Sequence, residues 1–116
     1  MQIALAQQQN SVPSYIIQGL NDYQDKGYEA AVHTWFRGSP FENGTAMLSK
    51  IMFFKNIEML YGRYLGYDII FVQQTATSSK VYVRMNYERT AGYIMFTSMP
   101  REDKWVLTDI DLDRLQ

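Results

Sequence analysis

The chain contains no cysteine and only one histidine and three prolines in its 116 residues. The missing thiols exclude disulfides, thiolate-held iron–sulfur clusters, zinc knuckles and cysteine nucleophiles. One histidine is too few for a transition-metal site, so neither a metal nor a cofactor is expected. An excess of one charge is lacking as well. Eleven Lys and Arg stand against twelve Asp and Glu, a net charge of −1. The basic residues are scattered rather than gathered into the stripe that nucleic-acid binding requires. No apolar run approaches the ~20 residues that span a bilayer. A phosphate-cradling glycine loop and a Gly-x-Ser-x-Gly elbow are both absent.

What is present is an ordinary globular composition, 47% hydrophobic and 20% charged, in a length that suits one domain with one core. Nine tyrosines raise the aromatic content to 15%. Tyrosine has an apolar body and a polar tip, which fits pocket walls and subunit interfaces. Residues 1–10 read in two ways. Ile3-Ala4-Leu5-Ala6 followed by Gln7-Gln8-Gln9-Asn10 is either an ordinary N-terminal arm or the tail of a signal peptide with Ala4-Leu5-Ala6 as its cleavage site. The second reading implies a periplasmic or secreted protein.

From residue 11 the pattern is helical and then alternating. Ser11 or Ser14 is expected to cap a first helix, with Pro13 in its first turn. Ile16, Leu20 and Tyr23 recur at helical spacing, and Gly27 ends the run. A short second helix is expected over 28–36, with Ala31, Val32, Trp35 and Phe36 on its apolar side. Arg37-Gly38-Ser39-Pro40 stops it. A third helix starts near Asn43 or Thr45 and runs to about Tyr61. Its apolar residues cover nearly the whole wheel, which predicts a central, buried helix.

Four strands follow. The first, 66–73, alternates Tyr67, Ile69 and Phe71 against Asp68, Ile70 and Val72. The second, 80–87, sets Val81, Val83, Met85 and Tyr87 against Tyr82, Arg84 and Asn86. The third is 92–99, and the mixed-charge run 100–104 is a solvated turn. The fourth, 105–112, sets Val106, Thr108, Ile110 and Leu112 against Trp105, Leu107, Asp109 and Asp111. Short turns between successive strands imply an antiparallel meander. The expected fold is α+β, with three N-terminal helices in the concave face of a curved four-stranded sheet, all in one domain over 11–116. The first and third strands are apolar on both faces. Burial of the outer sheet face in a homodimer accounts for this, and strong sheet curvature is the competing explanation.

Three stretches carry a resemblance. They are Tyr23-Gln24-Asp25-Lys26-Gly27-Tyr28-Glu29-Ala30-Ala31 at the first helix junction, Ile57-Glu58-Met59-Leu60-Tyr61-Gly62-Arg63-Tyr64-Leu65-Gly66-Tyr67 at the passage into the sheet, and Lys104-Trp105-Val106-Leu107 in the last strand. In this order they resemble the nuclear transport factor 2-like superfamily, the cystatin-like cone, and the second stretch is similar to small bacterial members without assigned activity. The resemblance implies a cone-shaped cavity between sheet and helices. It implies no particular reaction, because that superfamily holds isomerases, cyclases, dehydratases and many non-enzymes.

Candidate chemistry is sparse. His33 is a possible base on the second helix, with a solvated position as the alternative. The isomerase relatives use an early-helix tyrosine and cavity carboxyls, roles for which Tyr15 or Tyr23 and Asp68 or Asp109 are the available residues. Both aspartates are expected to face solvent. Asp109-Ile110-Asp111-Leu112-Asp113 resembles the start of a calcium loop, but Arg114 stands where glycine is required. Arg84 with Tyr82 would grip a ligand carboxylate if that face points inward, and an outward face is favoured. Asn43-Gly44-Thr45 matches a glycosylation sequon and equally a turn before a helix. The primary expectation is a non-catalytic domain holding a small apolar or aromatic ligand in a pocket lined by Leu20, Tyr23, Trp35, Met52, Val83, Met85 and Ile110. The alternatives are an enzyme using a Tyr and Asp acid–base pair, or an assembly partner that dimerises through the outer sheet face.

Overall fold

A computed structural model describes residues 12–112. The arm at 1–10, Ser11 and Asp113 lie outside the described residues. Three helices come first: α1 (Ser14–Lys26), α2 (Tyr28–Phe36) and α3 (Thr45–Tyr61). Four strands follow: β1 (Tyr64–Gln74), β2 (Ser79–Tyr87), β3 (Ala91–Arg101) and β4 (Lys104–Leu112). They pair in sequence order, each antiparallel to the next, as an open sheet with β1 and β4 at its edges. The α+β arrangement is the expected one.

Local chemistry explains the helix boundaries. The residue before α1 is Pro13, whose carbonyl accepts from the Ile16 N–H, and no side chain caps the helix. Ser14 is therefore the first helical residue and not a cap. Gly27 takes φ 103° and its N–H bonds the Asp22 and Tyr23 carbonyls, which lets α1 stop and α2 begin at the next residue. A side chain at Gly27 would be strained at that φ. Asn43 takes φ 62°, a left-handed conformation that asparagine tolerates, so the Asn-Gly-Thr run forms the turn into α3.

The core lies between α1, α2 and one sheet face. Ile16, Leu20, Ala31, Val32, Trp35, Val81, Val83, Met85, Ile94, Phe96, Leu107 and Ile110 are all buried there. Trp35 is its centre. Its indole meets Phe96 edge-on at 5.0 Å between ring centroids, and Nε1 donates to the Ile16 carbonyl at 3.1 Å. Gly19 makes room for it, because a Cβ there would run into the indole.

Two expectations are corrected. First, α3 is not central. Only Met47 and Phe54 are buried, while Leu48, Met52, Met59 and Leu60 face solvent. Its all-round apolar wheel comes from one buried stripe and a separate exposed one. Second, the alternation in the edge strands breaks at bulges. In β1, Ile69 pairs with Val83 and Phe71 with Tyr82, leaving Ile70 unpaired. An extra residue reverses the faces beyond it, so Val72 turns inward beside Val81 and Phe71 outward beside Tyr82. In β4, Ser98 pairs with Leu107 and Thr97 with Asp109, so Thr108 is the extra residue. Leu107 therefore joins Ile110 in the core.

Candidate functional site

The seven residues expected to line an internal pocket do not form an open one. Leu20, Tyr23, Trp35, Val83, Met85 and Ile110 are buried against one another, and Met52 is 53% exposed on the far side of α3. The helix-covered face of the sheet is filled with aromatic and branched side chains. Trp35, Tyr23 and Phe54 all meet in this packing, with 5.5 Å between the Trp35 and Phe54 rings and 5.8 Å between Tyr23 and Phe54.

Within that core the polar atoms gather in one place. The Tyr23 and Tyr87 hydroxyls share a hydrogen bond of 3.0 Å, and the Tyr64 hydroxyl donates to the Leu20 carbonyl at 3.3 Å. The Tyr23 and Tyr64 rings stack at 4.1 Å. Burial holds all three phenols protonated well above their ordinary range. The Tyr87 hydroxyl and the Glu58 carboxylate push Tyr23 further in the same direction. Tyr23 is expected from the sequence as a pocket wall or an acid, not as part of a tyrosine cluster. Tyr64, Tyr87 and Glu58 are not singled out there, because they come from three separate elements that only the sheet register and the last turn of α3 bring together. The paired strand positions 64 and 87 were the available signal. A cluster whose hydroxyls are protonated and mutually bonded is a poor proton acceptor.

The other expected catalytic residues are dispersed. His33 is exposed on α2. Asp68 is exposed and accepts from the Asn86 side chain at 3.1 Å. Asp109 is exposed on β4, its carboxyl raised above the usual range by partial burial and then by neighbouring Asp111. Arg84 and its face point outward, opposite buried Val83 and Met85. No group of three metal-ligating side chains occurs among the described residues.

The open concavity lies elsewhere, between the start of α1, the α2–α3 loop and the β3–β4 hairpin. It is a groove of about 800 Å³, within the size range of small-molecule sites. Tyr15 forms part of its wall, held by a 2.5 Å hydrogen bond between its hydroxyl and Ser98. Burial raises this phenol as well, with the Ser98 bond opposing. Half-buried Trp105 stands on the hairpin side. Arg101 ties the two sides together by donating from Nη1 to the Gly38 carbonyl at 3.1 Å. Glu42 returns to accept from the Gly38 N–H at 3.0 Å. Thr34 is locked by donating to Asp22 at 2.6 Å. Arg37, Gln18 and Lys104 add to the polar lining, together with the hairpin carboxylates Glu102 and Asp103. Tyr15 was singled out from the sequence, but as an acid. The groove itself depends on two loops meeting, which no periodicity reports. Comparison with protein-family models, curated proteins and solved structures finds no match to this chain.

Proposed function

We propose that this chain is a non-catalytic binding domain whose ligand site is the groove between the helices and the β3–β4 hairpin. The observation that carries this reading is the contrast between a filled interior and an open groove with fixed aromatic walls. Tyr15 is immobilised by Ser98, and Trp105 offers a half-buried indole face. A flat aromatic molecule fits such walls, and the Arg37 and Lys104 cations and the Gln18 amide are available for its polar substituents. Three helices ahead of an open antiparallel meander are compatible with the nuclear transport factor 2-like cone, and membership of that superfamily is part of this proposal. The acid–base alternative has less support. Its tyrosines are held protonated, and His33 and Asp109 are exposed and lie apart from them.

The test is native mass spectrometry of protein purified from a heterologous host, repeated after denaturation, together with a titration of aromatic fragments followed by amide chemical shifts. An adduct lost on denaturation, or shifts confined to Tyr15, Gln18 and Trp105 that vanish in Trp105→Ala, is the expected result. Neither adduct nor localised shift would overturn the reading.

One observation favours a second reading, dimerisation through the outer sheet face. Phe71 and Tyr82 stack there at 4.3 Å, with half-buried Met95 next in the same cross-strand row. Light scattering decides it. A dimer that Tyr82→Glu converts to monomer supports the second reading, and a monomer at high concentration removes it.

A further inference from the structure

Neither the groove nor the core uses the Asn43-Gly44 pair. It lies in the turn immediately ahead of α3, where Asn43 is exposed and holds φ 62°. The turn runs from Phe41 to Gly44 and is closed by the Gly44 N–H, which donates to the Phe41 carbonyl at 3.0 Å. The neighbouring polar side chains are engaged elsewhere. The Ser39 hydroxyl accepts from the Phe41 N–H at 3.1 Å, and the Glu42 carboxylate from the Gly38 N–H at 3.0 Å. Neither holds the Asn43 amide.

An asparagine side chain carries an electrophilic carbon, Cγ, and the next residue's backbone nitrogen can close a five-membered ring on it. A side chain on that next residue crowds the approach, and Gly44 has none. The attack requires the Gly44 N–H to leave the Phe41 carbonyl, so the turn has to open. Little resists this. Phe41 is 43% exposed, and α3 is anchored by only two buried side chains, Met47 and Phe54. Segments with so few buried contacts open locally at low cost. The other asparagines among the described residues are placed differently. Asn21 and Asn56 lie within α1 and α3, and Asn86 lies in β2 with its amide donating to Asp68 at 3.1 Å. Each is followed by a residue with a side chain, Asp22, Ile57 and Tyr87.

We propose that Asn43 is a site of spontaneous covalent modification, which cyclises with Gly44 and opens to aspartate or isoaspartate. The Gly44 nitrogen gives up its proton and bonds to Asn43 Cγ, and the side-chain amide nitrogen leaves as ammonia. Water then adds to one of the two ring carbonyls, and the bond from that carbon to the ring nitrogen breaks. Opening at Cγ leaves an aspartate side chain on an unchanged backbone. Opening at the main-chain carbonyl leaves isoaspartate, with the backbone rerouted through the side-chain carbons. No electrons are transferred, and water is the only co-reactant. The products act on the end of α3. No side chain caps that helix, and its first turn holds no acidic residue. A carboxylate at position 43 lies close to the unpaired N–H groups of the first turn, where negative charge is favourable. Isoaspartate instead lengthens the turn that the Gly44–Phe41 bond closes.

The experiment keeps the folded full chain warm in mildly alkaline buffer for weeks, with a sample held in denaturant alongside. Peptides are mapped by mass spectrometry, and isoaspartate is detected with an isoaspartate-specific methyltransferase. The peptide holding Asn43 should gain the mass that separates a hydroxyl from an amino group, several-fold faster than those holding Asn21, Asn56 or Asn86. Asn43→Gly, which suits the positive φ, should abolish that gain and the methyltransferase signal there. Conversion of Asn43 in the denatured sample with none in the folded one would overturn the proposal, because the turn would then protect the site. Equal conversion at all four asparagines would overturn it too. Asn43→Asp stands for one product, and its first-turn α3 amides should exchange with solvent more slowly than those of the wild type. Unchanged exchange would remove the link between the modification and α3.

Discussion

Helices α2 and α3 are both rich in apolar residues, yet the nine residues of α2 bury five side chains and the seventeen of α3 bury two. The difference lies in what surrounds them. The α2 helix follows α1 directly through Gly27 and carries Trp35 into the sheet, so it has packing partners on two sides. The α3 helix packs mainly against α2, through Phe54 and Met47. No element among the described residues lies over its opposite side, and Leu48, Met52 and Met59 are exposed there. Apolar content sets how much surface a helix has available to bury, and neighbours determine how much it does bury.

The comparison breaks most sharply at Trp35. Trp35→Ala removes the largest buried side chain together with its hydrogen bond to Ile16. It is expected to cost about 3–5 kcal/mol, read as a fall in the denaturant midpoint of circular-dichroism melts. A cost under about 1 kcal/mol would mean that α2 is not the anchor described.

Alkaline pH probes the same core through its phenols. Tyr15, Tyr23, Tyr64 and Tyr87 all titrate above their ordinary value of 10.0 because they are buried. Above that value the unfolded chain loses these protons while the folded chain keeps them, so the folded state binds more protons. The stability these groups contribute is complete below about pH 10 and declines as pH rises beyond it, by about 1 kcal/mol per pH unit for each phenol. Denaturation curves from pH 8 to pH 11 should show this loss, less steeply in Tyr23→Phe. A flat profile would place the phenols in solvent.

The sequence exposed the core helices and the β2 alternation plainly, since Leu20, Tyr23, Trp35, Val83 and Met85 all occur at the period of their element and all are buried. It misled in the edge strands. A bulge is one extra residue with no compositional mark, so Phe71 and Leu107 each appear on the wrong face until the register is known. It misled again at α3, where an apolar residue that is buried and one that is exposed look alike on a helical wheel. The groove was invisible for another reason. Tyr15, Arg37 and Trp105 meet only through the packing of two loops against α1.

A smaller effect sharpens the comparison within the tyrosine cluster. Tyr87→Phe leaves the Tyr23 hydroxyl without its 3.0 Å partner in a buried setting. About 1–2 kcal/mol of lost stability is expected, measured in a double-mutant cycle with Tyr23→Phe, in which the second substitution should recover part of the loss. Independent, additive losses would show that the two hydroxyls do not interact. At the far end of the scale, Leu48→Ser and Met52→Ser should each change stability by no more than about 0.5 kcal/mol. Losses of about 2 kcal/mol or more would show that this side of α3 is buried in the folded protein, by the chain itself or by a second copy.

Native-state hydrogen exchange tests the contrast between the helices most directly. It reports the opening free energy of each element on the intact protein. Amides of α1, α2, β2 and β3 should exchange only through global unfolding, and those of α3 should exchange faster, through a local opening that leaves the rest folded. Exchange of α3 amides as slow as those of α2, in a protein shown to be monomeric, would contradict the account and place α3 in the core.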